Sequence, residues 1–318
     1  MKLYCLFIFL IINTFCFSQN RNSVWCFGDS AGIDFSNINN PIPISTSLDT
    51  RGTSVSISDS IGDLLFYAET RASIAGNSGL IFDKSHNIML NGDSILGQGW
   101  YKEMIIIPVP SNDSLFYLFS IGVTNSSLPG LFYAIINTNK NGGLGEIVKK
   151  NIQLESFIMT DGLTAIKHGN GRDWWIFCRR WNTVNDEFHR HLISPSGVSN
   201  TIIQHFGTPT INGFTRLQFS PSGSKLALIN YNGLLEIYDF DRCTGIVSNE
   251  LTIHTEPTSL PISNFWSCEF SPNERFLYIT QYNDSAYLFQ YDLLSTFPAT
   301  SRITLDTIIN DQIGIGLL

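Results

Sequence analysis

Phe219-Ser-Pro-Ser-Gly-Ser-Lys-Leu-Ala-Leu-Ile-Asn-Tyr-Asn232 is followed, 51 residues further on, by Phe270-Ser-Pro-Asn-Glu-Arg-Phe-Leu-Tyr-Ile-Thr-Gln-Tyr-Asn283. The two stretches align without a gap, and Phe, Ser, Pro, Leu, Tyr and Asn recur at matching places. A repeat of this length, built from strands and turns, is typical of a β-propeller or a related array.

Each copy has the pattern strand, turn, strand, turn, strand. The Ser-Pro pair predicts a turn, because proline presets φ for the second turn position. Asn232-Gly233 and Asn283-Asp284 are hairpin signals. Short apolar runs rich in β-formers predict strands over 226–229, 276–280, 234–240 and 286–293.

Weaker copies precede the two clear ones, so that five units begin near residues 53, 104, 163, 215 and 266. Residues 25–35 look like a unit without its first strand, and residues 312–318 look like the start of another unit. We therefore expect one all-β domain over 19–318, a β-propeller of four-stranded blades with partial units at both ends. This pattern favours a truncated ring of about six to eight blades, and the alternative is a smaller ring that closes at residue 318.

The composition excludes several classes of partner. The chain has 318 residues with 43% hydrophobic, 13% aromatic and only 14% charged residues, enough apolar material for a large core. The net charge of −8 argues against a nucleic-acid partner, which needs a basic stripe, and against an anionic membrane surface.

The first 18 residues predict a signal peptide. Lys2 precedes an apolar run over residues 3–17, and Cys16-Phe17-Ser18 places small residues at positions −3 and −1 of a cleavage site. The run is too short for a membrane anchor, and no later stretch could span a bilayer. We expect a secreted or cell-surface protein.

Export would expose the remaining cysteines to an environment in which disulfides form. Cys26, Cys178, Cys243 and Cys268 remain after cleavage, an even number in an oxidising compartment. Four cysteines allow three pairings, and we favour a Cys243–Cys268 disulfide that joins two units. The alternative is free buried thiols. The spacing does not fit a zinc site.

The chain resembles the amino-terminal propellers of large secreted Bacteroidetes proteins that end in a gliding-associated or type IX secretion sorting domain. The resemblance is carried by the words Trp25-Cys-Phe-Gly-Asp-Ser-Ala-Gly-Ile-Asp-Phe35, Gly62-Asp-Leu-Leu-Phe-Tyr67, His168-Gly-Asn-Gly-Arg-Asp-Trp-Trp175, Tyr238-Asp-Phe-Asp-Arg-Cys-Thr-Gly245 and Cys268-Glu-Phe-Ser-Pro-Asn-Glu-Arg-Phe-Leu-Tyr278. It implies an extracellular location and supplies no catalytic residues. The sorting domain itself is absent from this sequence.

Aromatic and histidine residues are candidates for ligand contact. Trp174 or Trp175 could stack on a sugar ring, although strand alternation places one of the pair in the core. His189 and His191 lie two apart and share a strand face, a spacing that can bind a metal. Without a third ligand nearby, a solvated strand face is the preferred interpretation, and we expect no metal or cofactor.

Carboxylates could form a glycosidase, which needs a pair of Asp or Glu residues. The candidates by position are Asp29, Asp34, Asp63, Asp161, Asp173 and Glu269. Most of them fall at turns, where Asp caps the backbone. Motifs for a serine hydrolase, a phosphate-binding loop or a calcium loop are not found.

The sequence thus predicts an exported, non-enzymatic binding, interaction or structural propeller module with a protein or glycan partner and no catalytic residues. The alternative is an extracellular, glycosidase-like hydrolase with carboxylates at the propeller channel.

Overall fold

The computed structural model describes residues 20–49, 52–71, 76–97, 99, 102–122, 128–159, 162–180, 185–210, 215–255, 264–282 and 285–308. In this part of the chain the regular structure is β-strand, with two short 3-10 turns at Asn141–Gly143 and Pro298–Ser301. The predicted signal peptide and the partial unit at 312–318 lie outside the described residues.

The strands form six sheets arranged as the blades of a β-propeller, which confirms the predicted fold. Blade 1 contains β1 (Val24–Phe27), β2 (Asp29–Asp34) and β3 (Ile42–Asp49). Blade 2 contains β4 (Ser54–Ser58), β5 (Leu64–Glu69), β6 (Gly76–Asp83) and β7 (Ile95–Gly97). Blade 3 contains β8 (Met104–Pro108), β9 (Leu115–Ile121), β10 (Leu131–Asn137) and β11 (Glu146–Gln153).

The remaining three blades follow in the same order. Blade 4 contains β12 (Thr164–Lys167), β13 (Trp174–Cys178), β14 (Asn185–Ser194), β15 (Gly197–Val198) and β16 (Ile202–Thr210). Blade 5 contains β17 (Thr215–Phe219), β18 (Lys225–Asn230), β19 (Leu235–Asp241) and β20 (Ile246–His254). Blade 6 contains β21 (Phe265–Phe270), β22 (Phe276–Tyr282), β23 (Ala286–Asp292) and β24 (Ile303–Ile308).

Within each blade the strands pair antiparallel in chain order. In blade 4, β15 and β16 both pair with β14, so the two together hold the place of a fourth strand. The first strands of blades 2 to 6 begin at residues 54, 104, 164, 215 and 265, within one residue of the predicted starts of the five units. Contacts between these first strands are found at β4–β8, β12–β17 and β17–β21, so the first strand is the innermost strand of its blade.

The two Phe-Ser-Pro segments form turns of the same geometry. The hydroxyl of Ser220 accepts a hydrogen bond from the backbone N–H of Lys225, and Ser271 accepts one from Phe276 in the same way. The third residue after each serine has positive φ, +71° at Gly223 and +57° in blade 6. The repeat is therefore conserved in geometry between blades 5 and 6, and it ends the innermost strand of each.

Apolar side chains from neighbouring blades form a separate core at each of the five described interfaces. Because strand residues alternate between two faces, each of blades 2 to 5 contributes to two of these cores. In blade 5, Leu217 and Phe219 pack against blade 4, whereas Ala227 and Ile229 pack against blade 6. Polar residues that alternate with these apolar residues on an innermost strand therefore face the other neighbouring blade.

The predicted Cys243–Cys268 disulfide is not formed, and all four described cysteines are free thiols. Cys268 is buried on the innermost strand β21, in the core between blades 5 and 6. Cys243 is exposed in the turn between β19 and β20, where its N–H donates to the Asp241 carboxylate. Cys243 lies at the outer side of blade 5 and Cys268 on the innermost strand of blade 6, so the two residues are close in sequence but far apart in the sheet order. Burial raises the pKa of the Cys268 thiol to about 12.

In the described part of the chain, no helix is long and apolar enough to cross a bilayer.

Candidate functional site

The channel contains a chain of polar contacts that connects three blades. Lys102 precedes β8 of blade 3, and its ammonium donates a hydrogen bond to the carbonyl oxygen of Leu217 on β17 of blade 5, at 3.2 Å. The same ammonium also contacts the side-chain oxygen of Gln218. The backbone carbonyl of Lys102 accepts a hydrogen bond from the N–H of Gly162, at 2.9 Å, just before the first strand of blade 4. Lys102 therefore contacts both of the blades that follow its own.

Gln218 of blade 5 also contacts blade 6. Its amide nitrogen donates to the carboxylate of Glu269 on β21, with 3.2 Å between Nε2 and Oε1. Gln218 and Glu269 occupy corresponding places in the repeat, 51 residues apart. Lys102, Gln218 and Glu269 thus form a cation–amide–carboxylate relay, and each of the three side chains is partly buried.

Burial raises the pKa of the Glu269 carboxyl above its usual range. The charge of Lys102 and the hydrogen bonds from Phe270 N–H and Gln218 act in the opposite direction and are outweighed. A carboxylate with a raised pKa is a stronger base than an ordinary glutamate, which is a property that active sites use. Nearby, buried Arg216 donates through Nε to the carbonyl of Trp266, at 3.0 Å, and joins blades 5 and 6 at the same interface.

The other carboxylates named from the sequence are not part of this relay. Asp29 and Asp63 are exposed, and Asp34 accepts a hydrogen bond from the N–H of Ser36. Asp173 is buried in the turn before β13, where ion pairing with Arg172 holds its pKa below the usual range. Asp161 lies outside the described residues.

The neighbouring tryptophans have different surroundings. Trp175 is 4% exposed, packs in the core between blades 4 and 5, and donates from Nε1 to the carbonyl of Arg242 at 2.9 Å. Trp174 is partly exposed and lines a cavity of about 470 Å³ at one end of the channel. The side chain of Lys167 lies over its ring, with 5.6 Å between Nζ and the ring centroid. Of the two predicted ligand-contact residues, the structure places Trp174 where a ligand has access.

His189 and His191 share a face of β14, as predicted, but that face is buried rather than solvated. His191 Nε2 lies 2.9 Å from a carboxylate oxygen of Glu155, and His189 Nε2 lies 2.9 Å from one of Glu187. The His191–Glu155 pair joins blade 4 to the segment that follows β11 of blade 3, and the His189–Glu187 pair lies within β14. Among the described residues, no group of three or more His, Cys, Asp or Glu side chains could hold a metal ion.

Sequence reasoning singled out Glu269 by position and did not identify Lys102, Gln218 or Arg216. A signal was present in the sequence, since Arg216 and Gln218 alternate with buried Leu217 and Phe219 on an innermost strand. Alternation of this kind places the two polar side chains together on the strand face that is turned to the next blade. The partner Lys102 lies more than 100 residues away, and no local pattern indicates it.

Comparison with known proteins identifies the fold and no family. No family model matches the chain, and no curated protein matches it. A solved structure of a putative 6-phosphogluconolactonase from Bacteroides fragilis is similar, with TM-score 0.53 and 11% identity over 91% of this chain and 80% of that chain. A second such protein, from Bacteroides uniformis, has TM-score 0.51 and 16% identity over 88% of this chain and 78% of that chain.

These similarities correct one prediction from the sequence. The expectation that the protein is not an enzyme is contradicted by these similarities, because both propellers carry the name of putative 6-phosphogluconolactonases. The absence of a local catalytic motif is not evidence against catalysis in a ring that brings residues together from several blades. The resemblance to sorting-domain proteins stays a prediction.

Proposed function

We propose that this protein is a hydrolase of cyclic esters of sugar acids and that its reaction takes place in the channel at Glu269. The observation that carries this proposal is the relay of Lys102, Gln218 and Glu269 across the channel. The names of the two similar propellers support the choice of a lactone as substrate.

Ester hydrolysis needs a base for the attacking water and positive charge for the developing oxyanion. In the proposed reaction, Glu269 accepts a proton from water as the water oxygen bonds to the lactone carbonyl carbon. The ammonium of Lys102 stabilises the carbonyl oxygen as it gains negative charge. The tetrahedral intermediate then collapses, the ring C–O bond breaks, and the ring oxygen takes the proton from Glu269. The product is an open-chain hydroxy acid.

The same geometry favours an ester over a glycoside. Glycoside hydrolysis uses two carboxyl groups on opposite sides of the scissile bond. The described channel relay contains one carboxylate, Glu269, together with a cation and an amide. That set matches the needs of acyl chemistry, in which only one proton acceptor and one oxyanion stabiliser are required.

The test is the hydrolysis of glucono-δ-lactone and 6-phosphoglucono-δ-lactone, followed as acid release with the spontaneous rate subtracted. We expect turnover by the wild-type protein and a fall in kcat of about 100-fold or more in E269Q, the usual loss when a general base is removed. E250Q is the matched control, because Glu250 is an exposed residue on β20 of blade 5. Circular dichroism checks that both variants are folded.

Two outcomes would contradict the proposal. One is a wild-type rate equal to the spontaneous rate for both lactones. The other is an E269Q variant that retains wild-type kcat. Turnover of aryl glycosides without turnover of lactones would also contradict the choice of an ester substrate.

We further propose that the protein acts outside the cytoplasm, as a secreted or cell-surface propeller of the kind found in Bacteroidetes sorting-domain proteins. The signal-peptide pattern over residues 1–18 supports this location. Mass spectrometry of the protein from the native organism is expected to find an amino terminus at Gln19 in the extracytoplasmic fraction. An intact Met1 terminus in the cytoplasmic fraction would exclude the proposed extracytoplasmic location.

A further inference from the structure

The channel has a second polar region, at the end where the turns between the first and second strands of blades 3 and 4 lie. We call this region the lower mouth and define it by Arg21, Pro108, Lys167 and Trp174. Its cavity of about 470 Å³ is within the usual size of small-molecule sites. The relay residues Lys102, Gln218 and Glu269 do not line this cavity or its smaller neighbour.

The charge of the lower mouth is opposite to that of the whole protein. Among the described residues, those that line the larger cavity include two cations, Arg21 and Lys167, and no carboxylate, whereas the chain has a net charge of −8. In the described part of the chain, no carboxylate lies within ion-pair distance of Lys167. The adjoining cavity adds Arg172, which is paired with Asp173, and the exposed carboxylate of Asp113, which contacts Arg21 at 3.2 Å.

The lower mouth also presents apolar surface beside its cations. The partly exposed Trp174 ring lies under Lys167, and Pro108 lines the same wall. Pockets that combine aromatic surface with a few charged groups orient small polar ligands. An aromatic ring contacts the carbon–hydrogen faces of a ligand, and the cations supply the electrostatic attraction.

We propose that the lower mouth binds an anionic sugar, a hydroxylated carbon skeleton bearing a carboxylate or a phosphate group. Lys167 and Arg21 contact the anionic group, and Trp174 contacts the carbon skeleton. This site is separate from the proposed reaction at Glu269 and does not depend on it.

Isothermal titration calorimetry tests the proposal with gluconate, glucose 6-phosphate, neutral glucose and inorganic phosphate as separate ligands. We expect at least one of the two anionic sugars to bind, glucose not to bind, and K167Q to weaken binding about tenfold or more through loss of a charge-assisted contact. K84Q is the matched control, because Lys84 is an exposed residue on blade 2. Binding should weaken as salt is added, and whichever sugar binds more tightly identifies the anionic group.

Further variants separate this site from the relay. E269Q should bind the anionic sugar with unchanged affinity, and W174F should bind it more weakly while remaining folded. The proposal is overturned if neither anionic sugar binds, if K167Q binds as tightly as K84Q, or if E269Q abolishes binding. Equal affinity for inorganic phosphate and for the sugar phosphate would overturn the role of Trp174 in contacting the sugar.

Discussion

Replacing each of the adjacent tryptophans by alanine should give very different losses of stability. Trp175 is 4% exposed, and its Nε1 donates to the Arg242 carbonyl across the interface of blades 4 and 5. Burying an indole removes roughly 200 Å² from water, worth about 5 kcal/mol at about 25 cal/mol per Å². The interface then loses one hydrogen bond of about 1 kcal/mol. Partial collapse of the cavity brings the expected cost of W175A to about 3–5 kcal/mol.

Trp174 is partly exposed, and its described polar contact is the cation–π interaction with Lys167. Such an interaction contributes about 0.5–1 kcal/mol at an exposed site. Together with the smaller change in buried area, the expected cost of W174A is about 1–2 kcal/mol. The two variants should therefore differ by about 2–3 kcal/mol in the free energy of unfolding.

Guanidinium titration and thermal melting followed by circular dichroism measure this difference. For a domain of this size the entropy of unfolding is about 0.6 kcal/mol per degree, so W175A should lower Tm by about 5–8 °C and W174A by about 2–3 °C. Equal losses for the two variants would refute the assignment of Trp175 to the core and of Trp174 to the cavity. A W175A protein within about 1 kcal/mol of wild type would refute the energetic reasoning.

Three further predictions test other parts of the structure. Q218L should move the acid limb of the pH profile of kcat/KM to higher pH, because the hydrogen bond from Gln218 stabilises the charged form of Glu269 and is lost in this variant. An unchanged acid limb would show that Gln218 does not influence the general base. Burial lowers the pKa of His254, so the stability contributed by its neutral form is present above pH of about 6.5 and is lost as pH falls through the lowered pKa. Denaturant titrations at pH 8 and pH 5 should show a smaller difference for H254F than for wild type, and an equal difference would contradict this. G130A should lower the free energy of unfolding by more than about 3 kcal/mol, because φ is +118° and the added Cβ would overlap backbone atoms. G142A, at φ +65° in open space, should lower it by only about 1 kcal/mol. Similar melting temperatures for the two variants would refute the overlap.

The architecture could be predicted because its signals are local and repeated. The Ser-Pro turns at Ser220 and Ser271 use one hydrogen-bonding pattern, and strand alternation explains why Trp175 is buried while Trp174 is accessible. Periodicity of two places a residue on a face of a strand without knowledge of the rest of the ring. The first strands of five blades could be located in this way.

The site could not be predicted to the same extent, because its contacts are between blades that are distant in sequence. Lys102 meets Gln218 only when blades 3 and 5 are both in place around the axis. The predicted cysteine pairing is wrong for a related reason, since the 24 residues between Cys243 and Cys268 lead from an outer turn of one blade to the innermost strand of the next. A sequence motif consists of residues that are close together in the chain, whereas the polar contacts of this site join residues from distant blades.

Lys102 has a mechanical consequence as well. In a ring of repeats, a force applied to one blade is transmitted through each interface in turn. The ammonium of Lys102 joins blade 3 to blade 5 at Leu217, and its carbonyl accepts from Gly162 at the start of blade 4, so this one residue provides an additional route for the load among three blades. When the chain is pulled from its ends in a force spectrometer, K102M should therefore separate blades 3 to 5 at a lower force than the wild type, because the variant lacks a charge-assisted hydrogen bond of about 1.5–3 kcal/mol.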